Sequence, residues 1–198
     1  MNVAPRSRLR FAITSFVALA AGALIIGFTG TDEDGRPKST FSIEETRSFT
    51  EVPVYYAGDS ADGVPLVAVR RRKDSANHVA FIYGECDARD HVGCAPPGEV
   101  QIWPACVRNP ARYAGNRSPV SPVGISTIAR GVPAALFEEG HRLEIQTGTA
   151  TVVIFGHTPT FVAVLTKALR GTNNPVGREV DLPAPAPGAI EGGLGCDA

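Results

Sequence analysis

The chain has 198 residues, of which 43% are apolar and 20% charged, and its formal net charge is −1. This length fits one ordinary domain, and the near-neutral charge and average hydrophobicity exclude a strongly basic nucleic-acid binder, a polytopic membrane protein and a wholly disordered chain. Glycine (21 residues) and proline (16 residues) are abundant, which favours a turn-rich fold over a mostly helical one.

The N-terminal residues predict a membrane anchor. Segment 1–10 contains three arginines, and the apolar run 11–29 follows it. About 18 helical residues reach about 27 Å, which is enough to cross a hydrocarbon core. Acidic residues follow at 32–34, so the positive-inside rule places the basic tip in the cytoplasm and the remainder of the chain outside. A cleaved signal peptide, which would release a secreted domain, stays open as the alternative.

Export changes the charge that a partner would meet. The part after residue 30 has 16 basic and 20 acidic residues, a net charge of −4. It therefore has no bulk attraction for nucleic acid or anionic lipid. The predicted partners are the cytoplasmic membrane, through residues 11–29, and an envelope protein or polymer, with no nucleic acid.

The first half of the exported part predicts a tether, a short helix and several strands. Residues 30–40 are polar with glycine and proline and predict a flexible tether. Ser42 followed by Glu45 fits a capping box and predicts a helix over 43–48. Four segments rich in β-branched or aromatic residues predict strands, the second and third forming a hairpin. They are 52–56, 64–71, 79–83 and 99–105.

A loop, a meander and a helix are predicted in the second half. Residues 108–129 contain three prolines and two glycines, which predicts a loop. Three short apolar runs separated by glycine-containing breaks predict an antiparallel meander, over 132–137, 142–146 and 151–155. Thr158 as N-cap and Pro159 at the first helical position begin a helix, which Gly171 ends in the left-handed conformation. Its apolar face is formed by Phe161, Val164, Leu165 and Ala168.

Together these elements predict an α+β fold. It is a small antiparallel β-rich domain of about six short strands with one C-terminal amphipathic helix. The domain spans residues 41–198 and is preceded by the N-terminal transmembrane helix. No internal repeat divides it.

The four cysteines predict disulfide bonds, because oxidised pairs are the usual state of cysteines outside the cytoplasm. Cys86, Cys94, Cys106 and Cys196 allow three pairings. If the strands before Cys86 and before Cys106 are antiparallel neighbours, these two cysteines lie at opposite ends of the sheet. The favoured pairs are therefore Cys86–Cys94 and Cys106–Cys196.

Redox and metal roles fit the cysteines less well. No C-x-x-C motif occurs, which argues against a thioredoxin-type role. Zinc held by Cys86, His91, Cys94 and Cys106 stays open as an alternative, although a compact zinc site needs a C-x₂₋₄-C pair that this spacing lacks. No cofactor and no metal are predicted.

No acid–base–nucleophile set emerges from the sequence, so no catalytic residue is predicted. Residues 58–60 (Gly-Asp-Ser) follow a predicted strand, as in GDS-type hydrolases, but no Asp-x-x-His accompanies them and their types favour a turn. The functional candidates are a histidine between a strand and a helix, a tryptophan next to proline, and the densest basic run, which are His157, Trp103, Arg70, Arg71 and Arg72. The alternative roles are a surface histidine, a core aromatic and a solvated strand that resists edge pairing.

Two long stretches carry a resemblance to known sequences. They read FIYGECDARDHVGCAPPGEVQIWPACVRNPARYA and RGVPAALFEEGHRLEIQTGTATVVIFG. With their cysteine spacing, the pair Trp103-Pro104 and the segments 131–135 and 143–145, the chain resembles a group of uncharacterised single-pass membrane-anchored proteins of high-GC Gram-positive bacteria over residues 52–195. That group has no assigned activity, so the resemblance implies anchoring and a single folded unit, and no catalytic residues.

The sequence therefore predicts a membrane-anchored extracytoplasmic domain with a non-enzymatic role in binding or envelope assembly. The alternative is an exported enzyme of the hydrolase class. Its site would assemble from dispersed residues such as His157, Asp59 and Arg142.

Overall fold

In the part of the chain that the structure describes, eight antiparallel strands form the main sheet, and a ten-residue helix packs on it. The computed structural model describes residues 41–72, 77–85, 95–110 and 125–196. The predicted basic tip, anchor and tether, together with Cys86, His91 and Cys94, lie outside these residues. Among the described residues, no helix is long and apolar enough to span a membrane.

The strands and helices have the following bounds. The strands are β1 (Tyr55–Tyr56), β2 (Ser60–Ala61), β3 (Val64–Arg71), β4 (Val79–Tyr83), β5 (Gly98–Pro104), β6 (Ile125–Ala129), β7 (Val132–Phe137), β8 (Arg142–Thr147), β9 (Ala150–Gly156) and β10 (Arg170–Gly171). The helices are α1 (Ile43–Arg47) and α2 (Pro159–Ala168). Neighbours in the main sheet run β2-β3-β4-β5-β9-β8-β7-β6, and β1 pairs with β10 apart from it.

Local sequence signals account for both helices. Ser42 Oγ accepts a hydrogen bond from Glu45 N at 3.1 Å, and the Glu45 carboxylate accepts one from Ser42 N at 2.7 Å, which completes the predicted capping box of α1. Thr158 Oγ1 accepts from Phe161 N at 3.1 Å, and Pro159 begins α2. The α+β prediction is confirmed at this level: the described residues are mostly antiparallel sheet with one substantial helix.

Several strand predictions are confirmed and three details are wrong. The hairpin β3–β4, strand β5 and the meander β7–β9 lie where the sequence predicts them. Ten strands are present among the described residues instead of about six. Residues 125–129, predicted as loop, form β6, because three of the five are β-branched and a two-residue turn leads from them onto β7.

The third wrong detail is the end of α2. The helix stops at Ala168, where Leu169 takes an extended conformation (φ −51°, ψ 134°). Gly171 does not end the helix in a left-handed conformation; it pairs with Tyr55 in the β1–β10 ladder. A Cβ at Gly171 would lie 2.2 Å from Asn174 Oδ1, so glycine is required there by close approach.

The helix reaches the sheet through two cross-strand glycines. Gly98 on β5 and Gly156 on β9 are direct partners in the ladder. A Cβ at Gly98 would lie 2.5 Å from Phe161 Cε1 and 2.9 Å from Leu165 Cδ1, and one at Gly156 would lie 2.8 Å from Val162 Cγ2. The three helix side chains are buried and occupy the space that the two glycines leave.

The N-terminal segment and the tail are fastened by specific contacts. The Asn173 side chain donates to the carbonyls of Phe49 (2.6 Å) and Val52 (2.9 Å), and its Oδ1 accepts from Val54 N at 2.7 Å. The predicted pair Cys106–Cys196 lies at disulfide distance, with S–S 2.01 Å and Cα–Cα 5.3 Å. It closes a separation of 90 residues and holds the irregular tail against the end of β5.

Candidate functional site

An apolar groove lies between α2 and the β6–β7 hairpin. It has a volume of about 870 Å³ and is open to solvent. We call it the hairpin groove. Its apolar lining comes from both strands of the hairpin, from β8 and from the helix, and includes Ala129, Leu136, Leu143, Val162 and Ala163.

The groove exists because small side chains face each other across it. The helix contributes Ala163 and Thr166 to one wall, and the strand β6 contributes Thr127 and Ala129 to the other. Phe161, on a neighbouring face of the helix, is buried against the sheet instead. A long apolar groove at the surface makes this place the candidate binding site.

Charged residues lie at the two ends of the groove. Glu138 and Glu139 are at the end where α2 begins, and Arg130 and Lys167 are at the end where α2 finishes. Glu138 pairs with Arg142 at 2.8 Å, so the rim at the acidic end is held by an ion pair. At the other end Lys167 pairs with Glu179 at 3.3 Å, so the groove has an apolar floor with acidic side chains at one end and basic side chains at the other, each end carrying an ion pair.

The acidic end is built from strained backbone. Glu138 (φ 51°), Glu139 (φ 55°) and Gly140 (φ 93°) all have positive φ, and His141 N donates to Glu138 O at 3.0 Å. These residues form a left-handed turn. Each non-glycine residue in this conformation costs about 1–3 kcal/mol, and such strain is concentrated at functional sites.

The basic end is fixed by Arg130, which lies in the β6–β7 turn with φ 50°. Its guanidinium donates to the carbonyls of Leu169 (2.8 Å), Gly177 (3.0 Å) and Val180 (Nε, 2.7 Å). Burial lowers the pKa of Arg130, and the nearby carboxylates of Asp181 and Glu179 raise it. One side chain thus ties the hairpin to the helix end and to the tail, which fixes the width of the groove.

His157 lies at the junction of β9 and α2, as the sequence predicts. Its backbone N–H donates to Pro97 O at 2.8 Å, and its Nδ1 lies 3.0 Å from the same carbonyl. The ring packs on Phe161 with 5.1 Å between centroids. The structure places this histidine outside the lining of the hairpin groove.

Trp103 lies on the face of the sheet away from α2. Its Nε1 donates to Gln101 Oε1 at 2.8 Å, and its ring stacks on His78 with 4.1 Å between centroids. The guanidinium carbon of Arg108 lies 5.1 Å from the ring centroid. The structure therefore gives the ring and the N–H of Trp103 partners within this chain.

The three arginines of the basic run do not form one patch. Arg70 and Arg71 point to opposite faces of β3, and Arg70 and Arg72 are exposed. Arg71 pairs with Glu51 at 2.6 Å and lies 4.7 Å from the Phe49 ring centroid. Arg71 therefore fastens the N-terminal segment to the sheet.

The residues of the alternative hydrolase site occupy three separate environments. Asp59 lies 4.0 Å from Arg170, in the turn after β1, and His157 contacts Pro97. Arg142 lies 3.5 Å from Glu144. Among the described residues, the structure does not bring these three side chains into contact with one another.

Two buried polar side chains outside the groove, Glu144 and Tyr83, have partners within the chain. Glu144, 4% exposed, forms ion pairs with Arg108 and Arg142. Tyr83 donates to Gly58 O at 3.1 Å and accepts from Ala57 N at 2.7 Å. Burial raises the pKa of Tyr83 well above its usual range, although the bond from Ala57 opposes this.

No group of three or more His, Cys, Asp or Glu side chains within the described part of the chain is placed to hold a metal ion. No family model matches the sequence, no curated protein matches it, and no solved structure matches the fold. Function must therefore be argued from the geometry of this chain.

The sequence reasoning missed the hairpin groove. One of its walls comes from β6, which the prolines at 110, 119 and 122 led us to predict as loop. Two signals were present: the β-branched residues of the segment ISTIA (125–129) and the Arg130-Gly131 turn.

Proposed function

We propose that this chain is a non-enzymatic binding domain, held outside the cytoplasmic membrane by residues 11–29, and that the hairpin groove is its binding site. The groove is the observation that carries the proposal. Its volume of about 870 Å³ falls within the range of protein ligand sites, about 300–1,000 Å³. Burial of an apolar partner there releases water from both surfaces, and the charged ends orient the partner.

The location outside the cytoplasm has two supports. The arginines before the apolar run and the acids after it favour a cytoplasmic N-terminus. A Cys106–Cys196 disulfide is stable in an oxidising compartment and rare in the cytosol.

The location is tested by mass and by protease access. The protein purified from membranes is expected to have an intact mass that includes residues 1–30, and protease added to spheroplasts is expected to digest the domain. A mature mass that lacks these residues means a secreted domain, and protection from protease means a cytoplasmic one. Either result overturns the anchoring proposal and leaves the groove to its own test.

Binding in the groove is tested by site-specific photo-crosslinking in the native envelope. Benzoylphenylalanine replaces Ala163, which is exposed on the helix wall, and in a matched strain replaces Val67, an exposed apolar residue on β3 outside the groove. We expect an adduct from position 163 and none from position 67. Equal adducts from both positions, or none from position 163, contradict the proposal.

The rival function is an exported hydrolase. It requires an activity that falls by orders of magnitude on changing one group of the dispersed set, for example His157→Ala. We expect the His157→Ala chain to give the same adduct at position 163 as the parent chain.

A further inference from the structure

We propose that the ligand of the hairpin groove is an extended segment of another polypeptide, which adds to β6 as an antiparallel strand. This inference rests on the proposed function, because it names the class of partner for the same groove. It combines the open edge of β6, the absence of edge protection on that strand, the dimensions of the two walls and the charges at the ends.

The open edge follows from the turn that begins β7. The two turn residues Arg130 (φ 50°) and Gly131 (φ 78°) both have positive φ, which defines a type I′ hairpin. In such a hairpin the flanking pair Ala129 and Val132 exchanges both hydrogen bonds, and bonding residues alternate from there. The N–H and C=O groups of Ser126 and Ile128 therefore point away from β7, and no strand among the described residues pairs with that side.

β6 lacks three of the features that protect sheet edges from pairing. Its sequence ISTIA contains no charge and no proline, and its register with β7 continues without a bulge. Natural edge strands are usually interrupted by one of these. Ile128 on this strand is 69% exposed. An unprotected β-branched edge next to an apolar groove indicates a strand that receives a partner.

The two walls of the groove match a short extended segment. Five residues of β6 span about 17 Å and ten residues of α2 span about 15 Å. An added strand of five to seven residues covers this length. Its alternate side chains lie on the same sheet face as Thr127 and Ala129, so they project over the groove toward the helix wall.

The charged ends of the groove select the residues that flank the added strand. Ile125 at the start of β6 pairs with Leu136, so the acidic end, with Glu138 and Glu139, lies at the start of β6. An antiparallel segment has its C-terminal end there. The segment that fits has large apolar residues at alternate positions, followed on its C-terminal side by a lysine or arginine.

A second copy of this chain fits less well. By strand alternation, antiparallel pairing of β6 with its own copy would place residues 125, 127 and 129 over each groove, which are one large apolar residue and two small ones and fill about 870 Å³ less well than three large ones. A different polypeptide with large apolar side chains is therefore favoured.

The test uses a defined peptide and the full chain in lipid nanodiscs, because detergent monomers would compete for the apolar groove. The probe is fluorescein-labelled TLTVTLK with blocked ends, read by fluorescence anisotropy. In antiparallel addition, the residues opposite Ser126 and Ile128 bond to β6, so the threonine amides of the probe face the edge and the leucine and valine amides face away.

Two N-methylated versions of the probe separate strand addition from simple apolar contact. Methylation of the threonine amides removes the donors to β6, and we expect at least about tenfold weaker binding. Methylation of the leucine and valine amides leaves those donors in place, and we expect a change of less than about threefold. Equal effects of the two methylations contradict strand addition.

A pair of protein variants tests the same hydrogen bonds by changing β6 instead of the peptide. Ile128→Pro removes an outward N–H without removing a bond to β7, and is expected to weaken binding about three- to tenfold. The matched Ile128→Thr keeps this N–H and is expected to bind within about twofold of the parent. If Ile128→Pro does not fold, the methylated probes still distinguish strand addition from simple apolar contact.

Failure of this inference is distinguishable from failure of the proposed function. No binding of the probe up to about 1 mM, with an adduct still formed at position 163, overturns strand addition and keeps the binding domain. Absence of both probe binding and the adduct at position 163 overturns strand addition and the proposed binding function together. Dimerisation in solution that Ile128→Pro abolishes, without probe binding, identifies a second copy as the occupant and overturns the inference of a foreign partner.

Discussion

The two flanks of α2 pack differently against the same sheet. On the flank that faces β5 and β9, two glycines of the sheet leave space; Phe161 and Leu165 fill it at Gly98, and Val162 fills it at Gly156. We call this the closed flank. Large side chains against bare backbone give an interior packed like the remainder of the core.

The other flank faces the β6–β7 hairpin and is open. There the helix offers Ala163 and Thr166, and the strand offers Thr127 and Ala129, so small side chains face small side chains. The contrast shows that the groove comes from side-chain size at a few positions on one helix. Buried contacts are concentrated on the closed flank, and the open flank holds the groove that we propose as the binding site.

The largest expected change in the free energy of unfolding comes from removing a buried side chain of the closed flank. Phe161→Ala removes a buried ring and leaves a cavity beside Gly98, so the free energy of unfolding is expected to fall by about 3–5 kcal/mol. Urea unfolding of the full chain, followed by the fluorescence of its one tryptophan, measures this. The exposed neighbour Thr160→Ala is the control and is expected to change it by less than about 0.5 kcal/mol.

Adding a methyl to the closed flank is the next largest change. Gly98→Ala places a Cβ 2.5 Å from Phe161 Cε1, and overpacking is expected to cost about 1–3 kcal/mol. Combination with Phe161→Leu, which shortens the helix side chain, is expected to recover part of this loss in a double-mutant cycle. Gly177→Ala, where the nearest atom is 3.6 Å away, is the control. Additive effects of Gly98→Ala and Phe161→Leu would contradict the close approach.

A smaller effect is expected from pH at the same flank, where Tyr83 is the cross-strand partner of Gly98. Burial raises the pKa of Tyr83 in the folded chain, whereas tyrosine in the unfolded chain ionises near pH 10. Stability is therefore fully present below about pH 10 and falls above it, by up to about 1.4 kcal/mol per pH unit. Unfolding measured from pH 8 to 11 is expected to show a smaller slope for Tyr83→Phe, and an unchanged slope excludes this cause.

The smallest effect is expected on the open flank. Ala163→Leu adds three carbons to the helix wall, yet the groove has room for them, so stability is expected to change by less than about 0.5 kcal/mol. The same unfolding measurement compares it directly with Gly98→Ala. A loss above about 1 kcal/mol would mean that the flanks do not differ as described.

Local signals predicted much of the fold. Alternation and glycine breaks predicted the meander β7–β9, and Thr158-Pro159 predicted the start of α2. The strand β6 was missed because prolines earlier in the segment outweighed the three β-branched residues of 125–129. The end of α2 was missed because Leu169 is buried and pulls the chain into the β1–β10 ladder, which overrides the local preference of Gly171.

The candidate site was not predictable, because it depends on which strands are neighbours. β5 pairs with β9, so Gly98 meets Gly156 across a gap of 58 positions in the sequence, and the helix docks where they meet. The groove is the space left beside that docked helix. No spacing within one segment encodes it.

The sequence by itself determined the local elements of this chain, because hydrophobic period, caps and turn residues act over a few residues. It also carried the cysteines from which the Cys106–Cys196 pair was predicted. Only the tertiary structure decided that small residues of α2 and β6 face each other and leave a groove with an open strand edge. Packing brings together residues that are far apart in sequence, and their side-chain volumes determine whether a gap remains only when they are neighbours in space.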